Sequence, residues 1–114
     1  MNSPITTHIL DIASGYPARD VRVTLFRWHQ DQLVNVGQGV TDSDGRISVG
    51  LIEAKDYEPG EYQIRFETAA YFVASGLEPF YPRVAIDFVV AAGQVHYHIP
   101  LLLARHGYST YRGS

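Results

Sequence analysis

The chain has 114 residues, which predicts one domain, residues 1–114, with a core of its own; a chain of this size buries roughly 60–70% of the surface it exposes unfolded. The absence of cysteine excludes disulfides, thiolate metal sites and a cysteine nucleophile, and fits a reducing compartment. Net charge is −3, and the nine Lys and Arg residues form no basic stripe, so nucleic acid is not an expected partner. The apolar runs fall far short of the ~20 residues of a membrane helix, so no membrane partner is expected.

Met1-Asn2-Ser3-Pro4 lacks the basic segment and long apolar stretch of a signal peptide, and a cytoplasmic location is expected. A first strand is predicted from roughly Ile5 to Ile12, with His8 sharing a face with Thr6, Leu10 and Ile12. After the Ser14-Gly15-Tyr16-Pro17 turn, Val21, Val23 and Leu25 form one apolar face. Phe26 and Trp28 make the opposite face apolar too, so it needs a cover. Val34, Val36 and Val40 alternate around Gln38, and Gly37 and Gly39 point to close backbone approach or a bulge. Asp42-Ser43-Asp44-Gly45 is a hairpin turn leading to Arg46; it lacks the spacing and closing glutamate of a calcium loop. Glu53, Asp56, Glu58 and Glu61 surround a Pro-Gly turn and read as a solvated loop.

Tyr62, Ile64 and Phe66 alternate with polar residues, as a half-buried strand does. Thr68 to Gly76 predicts a single short helix, with Thr68 as N-cap and Gly76 just past its end. Glu78-Pro79-Phe80-Tyr81-Pro82 then runs extended. Val84, Ile86, Phe88 and Val90 predict another strand, and Val95 to Leu103 a further one, with Val95, Tyr97, Ile99, Leu101 and Leu103 on its core face. Short strands with turns at this spacing read as an antiparallel sandwich or barrel.

The reverse face of that strand carries His96, His98, Pro100 and Leu102. Histidine exchanges protons near neutral pH. His-x-His is also a metal-ligand spacing, with His8 as a third ligand that nothing local fixes. Two half-exposed polar positions would explain the pair as well. Arg46 reads either as a water-exposed strand start or as a bidentate grip on an anionic or carbonyl-rich substrate. His29 and His106 are expected at the surface. Ser109 and Thr110 lie in no nucleophile elbow, and no glycine-rich phosphate loop is present.

His96-Tyr97-His98-Ile99-Pro100-Leu101-Leu102-Leu103 followed by Tyr108-Ser109-Thr110-Tyr111-Arg112-Gly113-Ser114 resembles the C-terminal signature of the transthyretin-like 5-hydroxyisourate hydrolases. Thr6-Thr7-His8-Ile9-Leu10-Asp11, Thr41-Asp42-Ser43-Asp44-Gly45-Arg46, Tyr71-Phe72 and Glu78-Pro79-Phe80-Tyr81-Pro82 resemble further stretches of that family, so the likeness covers nearly the whole chain. The Tyr-Arg-Gly-Ser ending resembles the hydrolase branch, as distinct from the thyroid-hormone carriers of the same fold. One departure is Arg105-His106, where many members carry Ser-Pro-aromatic; it puts the shape of that turn, and the rim of the site, in question.

The resemblance implies an all-β, eight-stranded sandwich with one short helix. It implies a homotetramer, a dimer of dimers, with sites in a channel between dimers. It implies hydrolysis of 5-hydroxyisourate to 2-oxo-4-hydroxy-4-carboxy-5-ureidoimidazoline in urate degradation to allantoin, without metal or cofactor. His8, Arg46 and His98 match the family's catalytic positions, and Ser114 its terminal serine. His8, Arg46, Tyr111 and Ser114 are the expected substrate contacts. Other readings are a carrier of a small aromatic ligand, a metal hydrolase using His96, His98 and His8, and a structural or adhesion sandwich.

Overall fold

The period-two segments become strands, and the turn-rich segments join them. The computed structural model describes residues 3–114. Among these residues run β1 (Ile5–Asp11), β2 (Tyr16–Pro17), β3 (Arg22–His29), β4 (Gln32–Val40), β5 (Gly60–Glu67), β6 (Val84–Val90), β7 (Tyr97–Ala104) and β8 (Gly107–Thr110). Helix α1 (Thr68–Ala74) follows β5, and a 3-10 turn occupies Ala54–Asp56. The strands form two four-stranded sheets, ordered β2-β1-β7-β8 and β4-β3-β5-β6. Pairing is antiparallel throughout except between β1 and β7, which run parallel. The eight-stranded sandwich with one short helix is therefore present.

The core lies between the sheets. Val23, Leu25, Tyr62, Ile64 and Phe66 from one sheet and Ile5, Ile9 and Leu101 from the other are fully buried. Each large apolar side chain removed from water contributes about 1.5–3 kcal/mol. Several polar groups at the core find partners. The Thr7 hydroxyl donates to the Ile99 carbonyl at 2.6 Å, and the Tyr62 hydroxyl to the Glu58 carbonyl at 2.6 Å. Asp11 ends β1 on the buried side. Its Oδ1 accepts from the Ala13 and Ser14 N–H groups, and its Oδ2 accepts from the Tyr71 hydroxyl at 2.6 Å. Burial first, and then Asp11, push the Tyr71 phenol up to about 12. This bond fastens α1 to the end of β1.

Two expectations are corrected, and a third acquires its partner. Thr68 is not an N-cap: it is already helical and fully buried, and Glu67 holds the cap position without a side-chain bond. The loop after the helix does that work, because the Tyr81 carbonyl accepts from Thr68 Oγ1 and the Pro82 carbonyl from the Ala69 N–H. Val95 is 82% exposed, since β7 starts only at Tyr97, after a turn. Phe26 is covered by the Arg65 guanidinium, which stacks 4.5 Å above its ring.

Gly37 and Gly39 show both expected features. Leu25 pairs with Gly37 but Phe26 with Asn35, so Val36 is the extra residue of a bulge. A Cβ on Gly37 would fall 1.5 Å from the Leu51 carbonyl oxygen, and one on Gly39 2.6 Å from Ile47 Cγ2. These glycines let residues 47–52 lie on β4, and that segment continues directly from Arg46. Gly37→Ala is therefore expected to lower the unfolding free energy by ~2 kcal/mol or more, the scale of core overpacking. Gly107→Ala, with no atom near its new Cβ, should stay within ~0.5 kcal/mol of the parent. Urea denaturation of the two variants checks the contrast.

Candidate active site

The site grows from the parallel pair β1–β7. Its register sets Thr6 beside His98 and His8 beside Pro100. Inner-face residues of both strands enter the core, so Thr6, His8 and His98 project from the outer face of the sheet. Thr6 Oγ1 lies 2.8 Å from His98 Nδ1 and 3.1 Å from His96 Nε2. One hydroxyl thus stands between two imidazoles. Among the described residues, no group of three His, Cys, Asp or Glu side chains has an arrangement that could hold a metal ion.

Arg46 reaches this face through its turn. Asp42 Oδ1 accepts from the Asp44 N–H at 2.8 Å and the Arg46 N–H at 3.1 Å. The Asp42 N–H donates to the Arg46 carbonyl at 2.7 Å, and the Gly45 N–H to the Asp42 carbonyl at 2.9 Å. Gly45 has φ +72°, and a Cβ there would sit 2.5 Å from the Ile9 carbonyl oxygen. Only glycine combines that dihedral with that approach. The Ile9 N–H then donates to the Gly45 carbonyl at 3.0 Å, and a backbone bridge joins His8 to Arg46. Buried Thr41 anchors the turn at its other end, bonding the Val21 N–H and the Ala18 carbonyl.

The C-terminal segment closes the third side. After β8 ends at Thr110, Tyr111 and Arg112 pass beyond the sheet edge, with the Arg112 guanidinium 4.6 Å above the Tyr97 ring. The Gly113 N–H returns to the His98 carbonyl at 2.8 Å. A Cβ on Gly113 would lie 2.5 Å from His98 Cδ2, so glycine here lets the backbone press against the imidazole.

A cavity of about 550 Å³ results, lined by Thr6, Asp42, Arg46, His96, His98 and Ser114 among others. Its volume suits a small polar molecule. His8 flanks the cavity without lining it, and its ring packs near Gly45. Burial lowers the proton affinity of His98; the Arg46 charge lowers it further, followed by His8 and His96, while a hydrogen bond to the Thr6 main chain opposes them. Burial and Arg46 also lower that of His8, against a hydrogen bond to the Asp44 main chain and the charges of Asp44 and Asp42. Both rings are thereby biased toward the neutral, proton-accepting form.

His8, Arg46, His98 and Ser114 are brought together; Tyr111 is not. It is 58% exposed and lines a separate apolar cavity of about 390 Å³ with Phe88, Tyr97 and Arg112. The reason is the path of the chain, which leaves the sheet edge at Tyr111 and rejoins it at Gly113. The unusual Arg105-His106 turn lies at the far end of β7, beginning seven residues on from His98 (about 23 Å). There the His106 ring is 5.8 Å from that of Phe80, and Arg105 Nε donates to the Glu78 carbonyl. Alternation puts Thr6 on one face with His8. No local signal pairs it with His98, because their contact spans 92 positions of sequence.

The chain is also similar to known proteins over nearly its whole length. Residues 5–113 match the model of the HIUase/Transthyretin family. The chain is 44% identical over 113 residues to a 5-hydroxyisourate hydrolase of Deinococcus radiodurans, spanning 96% of this chain and 95% of that one. It superimposes on the structure of a Klebsiella pneumoniae 5-hydroxyisourate hydrolase with a TM-score of 0.83 and 41% identity, covering 98% and 99% of the two chains. Transthyretin from Sparus aurata gives a TM-score of 0.91 at 31% identity, covering 98% and 97%. Family match, sequence identity and fold agree, and the chain belongs to the HIUase/Transthyretin family.

Proposed function

We propose that this protein is a 5-hydroxyisourate hydrolase that opens the six-membered ring of its substrate at the N1–C6 amide. Relatives bearing that name at 39–44% identity support the reaction. The observation that carries the residue assignment is the cluster itself: a proton-accepting imidazole on a polar cavity, beside a guanidinium, with a second imidazole at its flank.

Ring opening adds water across one C–N bond. Water loses a proton as its oxygen attacks the carbonyl carbon, the carbonyl oxygen gathers negative charge, and the departing nitrogen gains a proton. His98, held toward its neutral form, takes the proton from water. Arg46 holds the substrate and offsets the charge on the carbonyl oxygen. His8, near enough to His98 to act on its proton affinity, completes the proton relay to the nitrogen. Ser114 borders the same space and orients the substrate. The metal-hydrolase alternative separates from this one by chelation, which should leave the activity intact.

In this reading the working unit is a homotetramer, a dimer of dimers. Arg46 and Ser114 are exposed on an open face of the single chain, and a neighbouring subunit would exclude water from it. Light scattering should then return a mass four times the 12.7 kDa of one chain; a monomeric mass with full activity would contradict that part.

The direct test is the ultraviolet absorbance decay of freshly generated 5-hydroxyisourate. The parent protein should accelerate it, and His98→Asn should lose about 10²–10⁴-fold in kcat with an unchanged circular dichroism spectrum. An unaccelerated decay with parent protein would instead favour a carrier.

The same assay run against pH has a definite sign. Burial and Arg46 lower the His98 pKa from 6.5, so kcat/KM should hold below pH 6.5 before falling. In the residual activity of Arg46→Gln that acid limb should move to higher pH, because one of the depressing causes is gone.

A further inference from the structure

The contact between Thr6 and the two imidazoles has a consequence for which nitrogen of His98 is basic. A hydroxyl owns one hydrogen and offers two lone pairs. Among the described residues, the two partners of Thr6 Oγ1 are His96 Nε2 at 3.1 Å and His98 Nδ1 at 2.8 Å. If the hydroxyl donates to His96, it accepts from His98 Nδ1–H, and His98 Nε2 keeps a free lone pair. If it donates to His98, the ring hydrogen lies on Nε2, and that nitrogen can no longer accept a proton. The direction of one hydrogen bond therefore decides whether His98 offers the second nitrogen as a base.

We propose that Thr6 is a positioning residue that holds His98 in its Nδ1–H tautomer, with His96 as the acceptor that commits the Thr6 hydrogen. The proposal deepens the reading above, since it rests on His98 acting as base. The direction follows from the role: a base on the cavity needs a lone pair on Nε2, the nitrogen that Thr6 does not bond, and this leaves the ring hydrogen on Nδ1, facing Thr6 Oγ1. Gly113 fixes the ring from its other side, with room for no more than a hydrogen where a Cβ would be. The ring is thus held in one plane with Nδ1 on the hydroxyl. The charged and titratable groups around it are Arg46 and Asp42 from the turn, His8 from β1 and His96 from the segment before β7. Among these neighbours, Thr6 is the residue whose hydroxyl bonds Nδ1.

The test uses the intact protein and two readouts, one of which is independent of activity. Nitrogen-15 chemical shifts of the imidazoles, measured at alkaline pH where the rings are neutral, report the tautomer directly. In the parent, His98 should be mainly Nδ1–H. In Thr6→Val, which keeps the shape and removes the hydroxyl, the Nε2–H form should gain population. Its kcat should fall about 10- to 100-fold, the usual effect of losing a group that orients a reactive imidazole, with KM within about twofold. Thr6→Ser restores the hydroxyl and should recover most of both signals, which separates positioning from a general loss of packing. His96→Leu should move both readouts in the same direction by a smaller factor. A Thr6→Val protein with the parent's tautomer or the parent's kcat overturns the proposal, as does a parent His98 found mainly as Nε2–H. If the parent failed to hydrolyse 5-hydroxyisourate while His98 remained Nδ1–H, the functional reading would fail and the tautomer assignment would stand.

Discussion

The parallel register between β1 and β7 is the constraint on which the site depends. Side chains alternate across a strand, so a slip of one residue would turn an entire face inside out. Burial prevents such a slip. Ile5 and Ile9 on β1 and Tyr97, Ile99, Leu101 and Leu103 on β7 must all enter the same core. Once they do, Thr6 and His98 have no choice but to meet on the outside. Both isolated backbone bridges then attach to this pair of strands, one bringing Arg46 to His8 and the other bringing Gly113 to His98. The chemistry is held by main-chain bonds to a rigid sheet, which positions side chains more tightly than a free loop could.

What the sequence made legible follows from range. Alternation is a local signal, and it located β1, β3, β4, β5 and β6, the outer face of β1, and the two sides of β7, while the two-residue β2 lies in residues read as a turn. The glycines at 37 and 39 were legible because a glycine inside a strand has few other uses. Where the outcome depended on distant partners, local reading failed. Thr68 carries the right residue type for a cap, yet the Tyr81 and Pro82 carbonyls bond the first turn of the helix and leave it no such role. Val95 fits the strand pattern, but it lies in the irregular segment between the Ala92-Gly93 turn and the start of β7. Tyr111 belongs to the same short ending as Ser114, yet the path around the sheet edge separates them into different cavities.

The candidate site was legible unevenly for the same reason. His98 and His8 could be read as outward-facing from alternation alone. Their association with Arg46, and with the ending, came from resemblance to a family and had no derivation in spacing. Asp42 and Gly45 looked like ordinary turn residues. Only in three dimensions does Gly45 become a contact surface for β1, with the Ile9 carbonyl in the place a side chain would need. The buried Asp11–Tyr71 bond was likewise invisible, because its two partners lie 60 positions apart.

In the proposed reaction, Arg46 links binding to proton transfer through a single charge. Its guanidinium adds to burial in lowering the proton affinity of His98 and of His8. Both imidazoles are then biased away from taking protons from solvent. A substrate that brings negative charge to Arg46 cancels part of that field, and a nearby anion itself favours the imidazolium. The base would therefore strengthen on occupancy, when a water molecule has to lose its proton, and the imidazolium formed would be stabilised as charge builds on the carbonyl oxygen. Lysine could supply the charge, but not the planar two-point contact that fixes where a carbonyl or anion sits. The position of the charge matters as much as its sign, and that position is set by a turn whose glycine lies flat against β1.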